Sequence, residues 1–203
     1  MRIQLVQAND GEMTGADLSA LLVSASAGDQ AAWETLVRLY ARRVFALARS
    51  RCGNDDVAEE ITQSVFVTVA TKLQNGGYAE QGRFEAWIFR VAMNRVRDVI
   101  RRAKSRRVAP EADLDAEPAP ERARTGTDSE RLAALRGAVA QLSEADREVI
   151  ELRHNAGMGF KEIAELLEEP VGTLLARHHR ALRKLRDVLA ARGYPTMHGE
   201  GES

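Results

Sequence analysis

The sequence predicts an all-α protein of two small helical domains joined by a flexible acidic linker. Three observations carry that expectation. Apolar residues recur at three- and four-residue steps along most of the 203-residue chain, and no stretch reads convincingly as a strand. Residues 108–129 hold three prolines and, beyond Val108 and Leu114, no large apolar side chain, so they add little to any core. Charge is also divided along the chain. Residues 83–107 carry nine bases and two acids, residues 110–130 seven acids and two bases, and residues 171–186 five bases and no acid. The formal net charge of −1 therefore conceals two basic blocks, and it does not argue against a nucleic-acid partner.

The elements follow in order. Residues 1–16 are polar and read as a disordered end, and 194–203 as another. Gly28-Asp29 breaks an apolar stretch, and Asp29 is placed to cap the next helix. Trp33, Leu36, Tyr40, Val44 and Leu47 then line one face of a long amphipathic helix that Gly53-Asn54 ends. Asp55, Asp56, Glu59 and Glu60 open a third helix, where carboxylates favour the helix dipole; it continues through Ile61, Val65 and Val69 toward Leu73. Residues 74–82, QNGGYAEQG, are a loop. The next helix starts near Phe84, with Trp87, Ile88, Val91, Ala92, Val96, Val99 and Ile100 as its apolar face. Arg90, Asn94, Arg97, Arg101 and Lys104 follow at steps of four, three, four and three, which sets them along one side. A stripe of one sign repels itself instead of pairing, which favours an anionic partner over a merely solvated face.

After the linker the chain restarts at Ser129, with Leu132, Leu135, Val139 and Leu142 as an apolar face. Ser143 to Asp146 reads as a capping box opening a helix whose inward residues are Val149, Ile150 and Leu152, and Asn155-Ala156-Gly157 stops it. A short helix from Phe160 to about Leu167, a turn containing Pro170 and a long basic helix from Val171 to about Ala191 have the order of a helix-turn-helix. The domains are accordingly set at 18–107 and 130–192, with 108–129 as linker.

The acidic helix at 56–66, the aromatic and basic segment at 84–101 and the helix-turn-helix at 162–181 together resemble the extracytoplasmic-function sigma factors of the sigma-70 family. Asp56-Val57-Ala58-Glu59-Glu60-Ile61-Thr62-Gln63-Ser64-Val65-Phe66 is similar to the family's acidic helix, with Glu60 where Asp is usual. Phe84, Trp87, Ile88, Ala92, Asn94, Asp98 and Arg101 are similar in type and spacing to the family's next segment. Glu162-Ile163-Ala164, Pro170-Val171-Gly172-Thr173 and Arg177-x-x-Arg180-Ala181 match its helix-turn-helix. The resemblance spans about residues 18 to 190.

It implies a non-catalytic subunit that joins bacterial core RNA polymerase, directs it to promoter DNA and assists strand opening. Asp56, Glu59, Glu60, Gln63 and Phe66 would form the polymerase-binding surface, their charge steering association. Asn75, Tyr78, Arg90, Asn94, Arg97, Arg101 and Lys104 would hold the minus-ten element, through pockets for unstacked bases and cations on the strand backbone. Thr173, Arg177, His179, Arg180 and Lys184 would contact the minus-thirty-five element in the major groove. An anti-sigma partner is implied as well. Trp87 and Phe84 are read as core residues, and Asp98 as a residue that orients Arg101 or Arg102.

The chain departs from the family's pattern in the recognition helix. Leu175 and Ala176 stand where a base and a serine are usual, and Glu169 precedes the proline in place of an apolar residue. Leu175 can touch a thymine methyl but cannot bond to guanine, and a lost cation releases fewer counterions. A weaker or unusual minus-thirty-five reading is therefore expected.

Other chemistry finds little support. One cysteine, Cys52, excludes an intramolecular disulfide, and His154, His178, His179 and His198 lack metal-ligand spacing. Gly76-Gly77 is not followed by the Lys-Ser/Thr of a phosphate loop. Neither cofactor nor metal is expected, and no enzymatic activity. The N-terminus lacks a signal-peptide core and no apolar run approaches a membrane span, so a cytoplasmic protein without membrane insertion is expected. Two alternatives stay open: a helix-turn-helix regulator, which would bind duplex tightly alone, and a polymerase-binding scaffold with impaired DNA reading.

Overall fold

Eight helices make up the regular structure among the described residues of a computed structural model, which are 14–78, 82–108 and 127–194. They are α1 (Gly15–Ser26), α2 (Gln30–Cys52), α3 (Asp55–Gln74), α4 (Phe84–Val108), α5 (Thr127–Val139), α6 (Glu144–His154), α7 (Phe160–Leu167) and α8 (Val171–Ala191).

Local chemistry sets most of these bounds. Asp29 caps α2 by accepting from the amides of Ala31 and Ala32 at 2.9 and 3.3 Å. Gly53 ends α2 at φ 69°, a left-handed conformation that glycine adopts without steric cost, and Asn54 at once caps α3 by accepting from Val57 N at 2.9 Å. Helices α2 and α3 thus fold back on each other through a two-residue turn. Upstream, Thr14 accepts from Asp17 N at 3.2 Å while Asp17 accepts from Thr14 N at 3.1 Å. This capping box starts α1 inside the stretch that the sequence analysis assigned to a disordered end; residues 1–13 lie outside the described residues. Likewise α4 reaches Val108 and α5 begins at Thr127, so helix occupies both ends of the expected linker, of which 109–126 lie outside the described residues.

Helices α1 to α4 enclose a core of Leu36, Tyr40, Val44, Leu47, Ile61, Val65, Val69, Phe84, Ile88 and Val96. Phe89 and Met93 are also buried, although the periodicity of α4 did not single them out. The reason is that α4 is covered from two sides, by α2 and α3 and also by α7. The C-terminal half packs α5, α6 and α7 around α8. In α5 the inward residues are Ala134 and Ala138, and Leu135 is 41% exposed, a correction to the expected face. Small residues allow α8 to lie close there. At α6, Ser143 accepts from Asp146 N at 3.2 Å, but the return half of the expected capping box gives way to a bond from Arg180 to the Asp146 carboxylate.

The halves also touch. Leu152, Met158, Ile163 and Leu166 from α6, α7 and the turn between them belong to the same buried cluster as the N-terminal core. Ala138, Leu142, Ile150, Ala181 and Leu185 form a second cluster behind it. No described helix is long and apolar enough to cross a membrane.

Candidate polymerase and nucleic-acid interfaces

Helix α3 buries Ala58, Ile61, Val65 and Val69 and turns Asp56, Glu59, Glu60 and Gln63 outward. Gln63 Nε2 donates to Glu59 Oε1 at 3.4 Å, which aligns the row. Phe66 is placed differently: it is 9% exposed, and its ring meets Trp33 edge to face at 6.1 Å. That contact fixes α3 against α2 and leaves Phe66 with little surface to present. Val67 instead is 66% exposed, one turn beyond Gln63 on the acidic side. Sequence reasoning missed it because a valine at that position reads as core; its offset of two from Val65 was the available signal.

The loop before α4 brings Tyr78 onto α4. Its ring lies 4.5 Å from Trp87 and 5.5 Å from Phe84 by centroid, so it forms an aromatic ledge where α4 begins. Phe84 is buried, as expected of a core residue, and Trp87 is half-buried beneath Tyr78. Asn75 is the exposed C-cap residue of α3 on the near side of the same loop. Residues 79–81 lie outside the described residues.

Along α4, Arg90, Asn94, Arg97 and Arg101 are all exposed on one side, and the side chain of Lys104 lies outside those described. Arg101 Nη2 donates to Asp98 Oδ1 at 2.8 Å, the orienting role considered for Asp98. Arg90 donates from Nη2 to the carbonyls of Glu165 and Leu166 at 3.0 and 3.2 Å, and Arg97 Nη2 donates to Glu148 Oε1 at 2.5 Å. A cleft of about 220 Å³ lies between these contacts, lined by Arg90, Met93, Asn94, Arg97, Glu148 and Leu166 among others.

On α8, Leu174, Ala181 and Leu185 face inward. Thr173 and His179 are exposed, together with Leu175 and Ala176. The other three residues expected at the DNA already have partners. Arg177 Nη1 donates to Glu169 Oε1 at 2.7 Å, Arg180 grips both Asp146 oxygens at 2.6 and 3.2 Å, and Lys184 Nζ donates to the Gln141 carbonyl at 2.5 Å. The Arg180 hydrogen bond holds the Asp146 carboxyl below its usual range, against the opposing effect of burial. These residues brace α8 on α6, on the turn before α6 and on the turn between α7 and α8. Arg183 and Arg186 are exposed, and with Leu175 and His179 they continue one outward row.

His178 faces the other way. It stacks on His154 with centroids 5.2 Å apart and Nε2 atoms 3.0 Å apart, while Phe160 closes the edge at 5.3 Å. One ring must donate and the other accept, so the accepting ring is neutral and the pair cannot carry two protonated imidazoles. Burial lowers the His154 pKa, helped by Arg153; burial lowers that of His178 too, helped by His154, His179 and Arg153. Depressed histidine pKa values place the stabilisation above about pH 6.5 and lose it as pH falls below that. Thermal melting followed by circular dichroism is expected to show a more unfavourable change in Tm from pH 7.5 to pH 5.5 for the wild type than for His178→Asn. An equal change in the variant would refute the assignment.

The chain thus presents an acidic helix face, a one-sided basic stripe beside an aromatic ledge, and a helix-turn-helix. Known proteins combine these features in the same order. The "Sigma-70 region 2" family profile matches residues 36–106, and the "Sigma-70, region 4" profile matches 132–185. The ECF RNA polymerase sigma factor SigW of Bacillus subtilis is 30% identical over 79% of this chain and 92% of its own length. The ECF sigma factor SigD of Mycobacterium tuberculosis is 32% identical over 89% of this chain and 88% of its own. SigE of Mycolicibacterium smegmatis is 37% identical over 80% of this chain, which spans only 65% of that longer relative. Among solved structures, CnrH in complex with the cytosolic domain of CnrY superposes with a TM-score of 0.64 at 26% identity, covering 85% of this chain and 96% of that one. The Bartonella quintana sigma factor RpoE, solved with the anti-sigma factor NepR, shares the fold at TM-score 0.60 and 23% identity, over 77% and 96%. The chain belongs to the extracytoplasmic-function sigma factors of the sigma-70 family.

Proposed function

We propose that the chain acts in the cytoplasm as a stoichiometric, non-catalytic initiation subunit. Residues 18–107 hold core RNA polymerase through the acidic face of α3 and the minus-ten element through α4, and residues 130–192 dock α8 at the minus-thirty-five element. The observation that carries this reading is the row of Arg90, Asn94, Arg97 and Arg101 on the exposed side of α4, on the same small domain as an exposed carboxylate face. Cations along one helix face track a strand's phosphates, Asn94 offers a donor and an acceptor to a base edge, and the Tyr78–Trp87 ledge supplies a surface for an unstacked base. An anti-sigma protein is a further partner in this reading: RpoE was solved with the anti-sigma factor NepR, and CnrH with the cytosolic domain of another protein, CnrY.

Reconstitution with bacterial core polymerase on a library of templates tests the proposal. Run-off product that depends on the added chain is expected, and sequencing the transcribed templates yields the promoter. Core binding without product from any template would favour a scaffold, and tight duplex binding without core association a regulator.

The recognition helix adds a second expectation. Leu175→Arg restores a cation on the outward row of α8, so duplex affinity should rise and the salt slope steepen by about 0.9. Filter binding of the full chain across a salt series reads both. An unchanged slope would remove position 175 from the interface.

A further inference from the structure

We propose that His154 and His178 form a two-imidazole site for a divalent transition-metal ion of the copper and nickel type, which ties the recognition helix α8 to α6. The histidines lack metal-ligand spacing along the chain, but the fold brings two of them together. His154 ends α6, and His178 lies two turns into α8. Their Nε2 atoms are 3.0 Å apart. An ion held about 2.0–2.1 Å from each imidazole nitrogen sets two such atoms about 2.9 Å apart at a right angle and about 3.3 Å apart at the tetrahedral angle. The observed 3.0 Å is nearer the right angle. Neighbouring ligands of a square or tetragonal ion meet at that angle, and nitrogen donors in that geometry suit Cu2+ or Ni2+ better than Zn2+.

The surroundings prepare both rings as ligands. His154 is exposed and His178 half-buried, so an ion reaches the pair from solvent. Phe160 meets the His178 ring edge to face and holds its orientation. Burial keeps both pKa values below the ordinary histidine range, so at neutral pH protons do not compete for the lone pairs. In the metal-free pair one Nε2 donates to the other. When the ion enters, the donating ring shifts its proton through solvent from Nε2 to Nδ1, and both Nε2 lone pairs then face the metal. Two coordinate bonds form, and no proton is lost to the medium.

Two features limit the affinity. The Arg153 charge acts on both rings and opposes a second cation, although its guanidinium is drawn aside by the Met158 carbonyl at 2.9 Å and by the Phe160 ring at 5.3 Å. Among the described residues no group of three or more His, Cys, Asp or Glu converges, so water completes the shell. His179 is edge-on to His178 at 6.1 Å by centroid and belongs to the outward row. A site this lean selects the ions that bind nitrogen most tightly, again copper and nickel. Its consequence falls on α8, where a link at His178 joins the Arg180–Asp146 bond in fixing the helix on α6. An ion that binds only this juxtaposition stabilises the fold that makes it.

Titration calorimetry of the untagged full chain with Ni2+ near neutral pH tests the site, together with thermal melting in the presence and absence of the same ion. His154→Asn and His178→Asn each leave one imidazole, and His154 is exposed, so its removal spares the core. The wild type should bind one Ni2+, and each of these variants should bind it at least tenfold more weakly. Nickel at about 1 mM should raise the wild-type Tm by about 3 °C or more and that of either variant by less than about 1 °C. His179→Asn removes an imidazole from the neighbouring position and should retain the wild-type affinity and shift. Circular dichroism without metal should show the same helical content in all four proteins. Equal Ni2+ affinity in the wild type and the first two variants, an equal loss in His179→Asn, or binding that leaves Tm unchanged would overturn the site.

Discussion

Glu59→Lys combined with Glu60→Lys is expected to weaken binding to core polymerase by roughly tenfold or more, about 1.4 kcal/mol or above. Both carboxylates are exposed on α3, so neither supports the core. The cap from Asn54 and the first-turn acids Asp55 and Asp56 stay in place, which limits the cost to the helix to a few tenths of a kcal/mol. The loss should appear mainly as slower association with a reduced salt dependence, the signature of charge steering. Val67→Asp tests the apolar end of the same face and should raise the dissociation rate instead, because a buried apolar contact is lost there. Surface-immobilised core polymerase with flowing chain separates the two rates. Wild-type kinetics in both variants would move the polymerase surface off α3.

Arg51→Ala should open the molecule. The Arg51 side chain is 6% exposed and that of Glu151 2%, and they meet across the boundary between α2 and α6. The pair lacks good hydrogen-bond alignment, and Arg51 Nη2 has no hydrogen-bond partner, so closure already carries a desolvation cost. Removing one partner of a buried pair costs about 3–5 kcal/mol. Here the chain can escape that cost by separating its halves and hydrating Glu151. Scattering should therefore report a larger particle with unchanged helical content. Arg51→Met with Glu151→Leu replaces the pair by apolar groups and should close the molecule again, since such exchanges are often neutral or stabilising.

The same pair makes closure pH-dependent. Burial pushes Glu151 up to about 7 against the opposing pull of Arg51, with Arg147 also lowering it and Glu144 and Glu148 raising it. A carboxyl whose pKa is raised in the closed form binds a proton on closing. Closure is then fully favoured below the ordinary carboxylate range and weakens as pH rises through about 7. The radius of gyration should increase from pH 6 to pH 8 in the wild type and stay level in Arg51→Met with Glu151→Leu. This runs opposite to the His154–His178 pair, whose stabilisation is lost toward acid.

What was legible in the sequence was what neighbours in sequence decide. Three- and four-residue spacing and the signals at Asp29, Gly53-Asn54 and Ser143 give helices whose bounds agree with the structure at Phe160–Leu167 and Val171–Ala191. They also separate the buried face of α3 from its acidic one. Periodicity could not show which of two adjacent stripes a partner helix covers, hence Leu135 for Ala134, or that Phe66 turns toward Trp33. It also could not say where an arginine's head goes. Arg177 and Arg180 look alike on a helical wheel, and only the fold brings Glu169 and Asp146 to them. The boundary between the halves was least visible, because Arg51 and Glu151 or Arg43 and Ala156 are about a hundred residues apart and leave no local pattern.

Permanganate footprinting of thymines on a promoter template tests strand opening most directly. With core polymerase and this chain, thymines around the minus-ten element should become reactive, and Arg90→Ala with Asn94→Ala and Arg97→Ala should suppress that reactivity while core association persists. A holoenzyme that transcribes from the template with those three residues removed, and opens it to the same extent, would contradict the account.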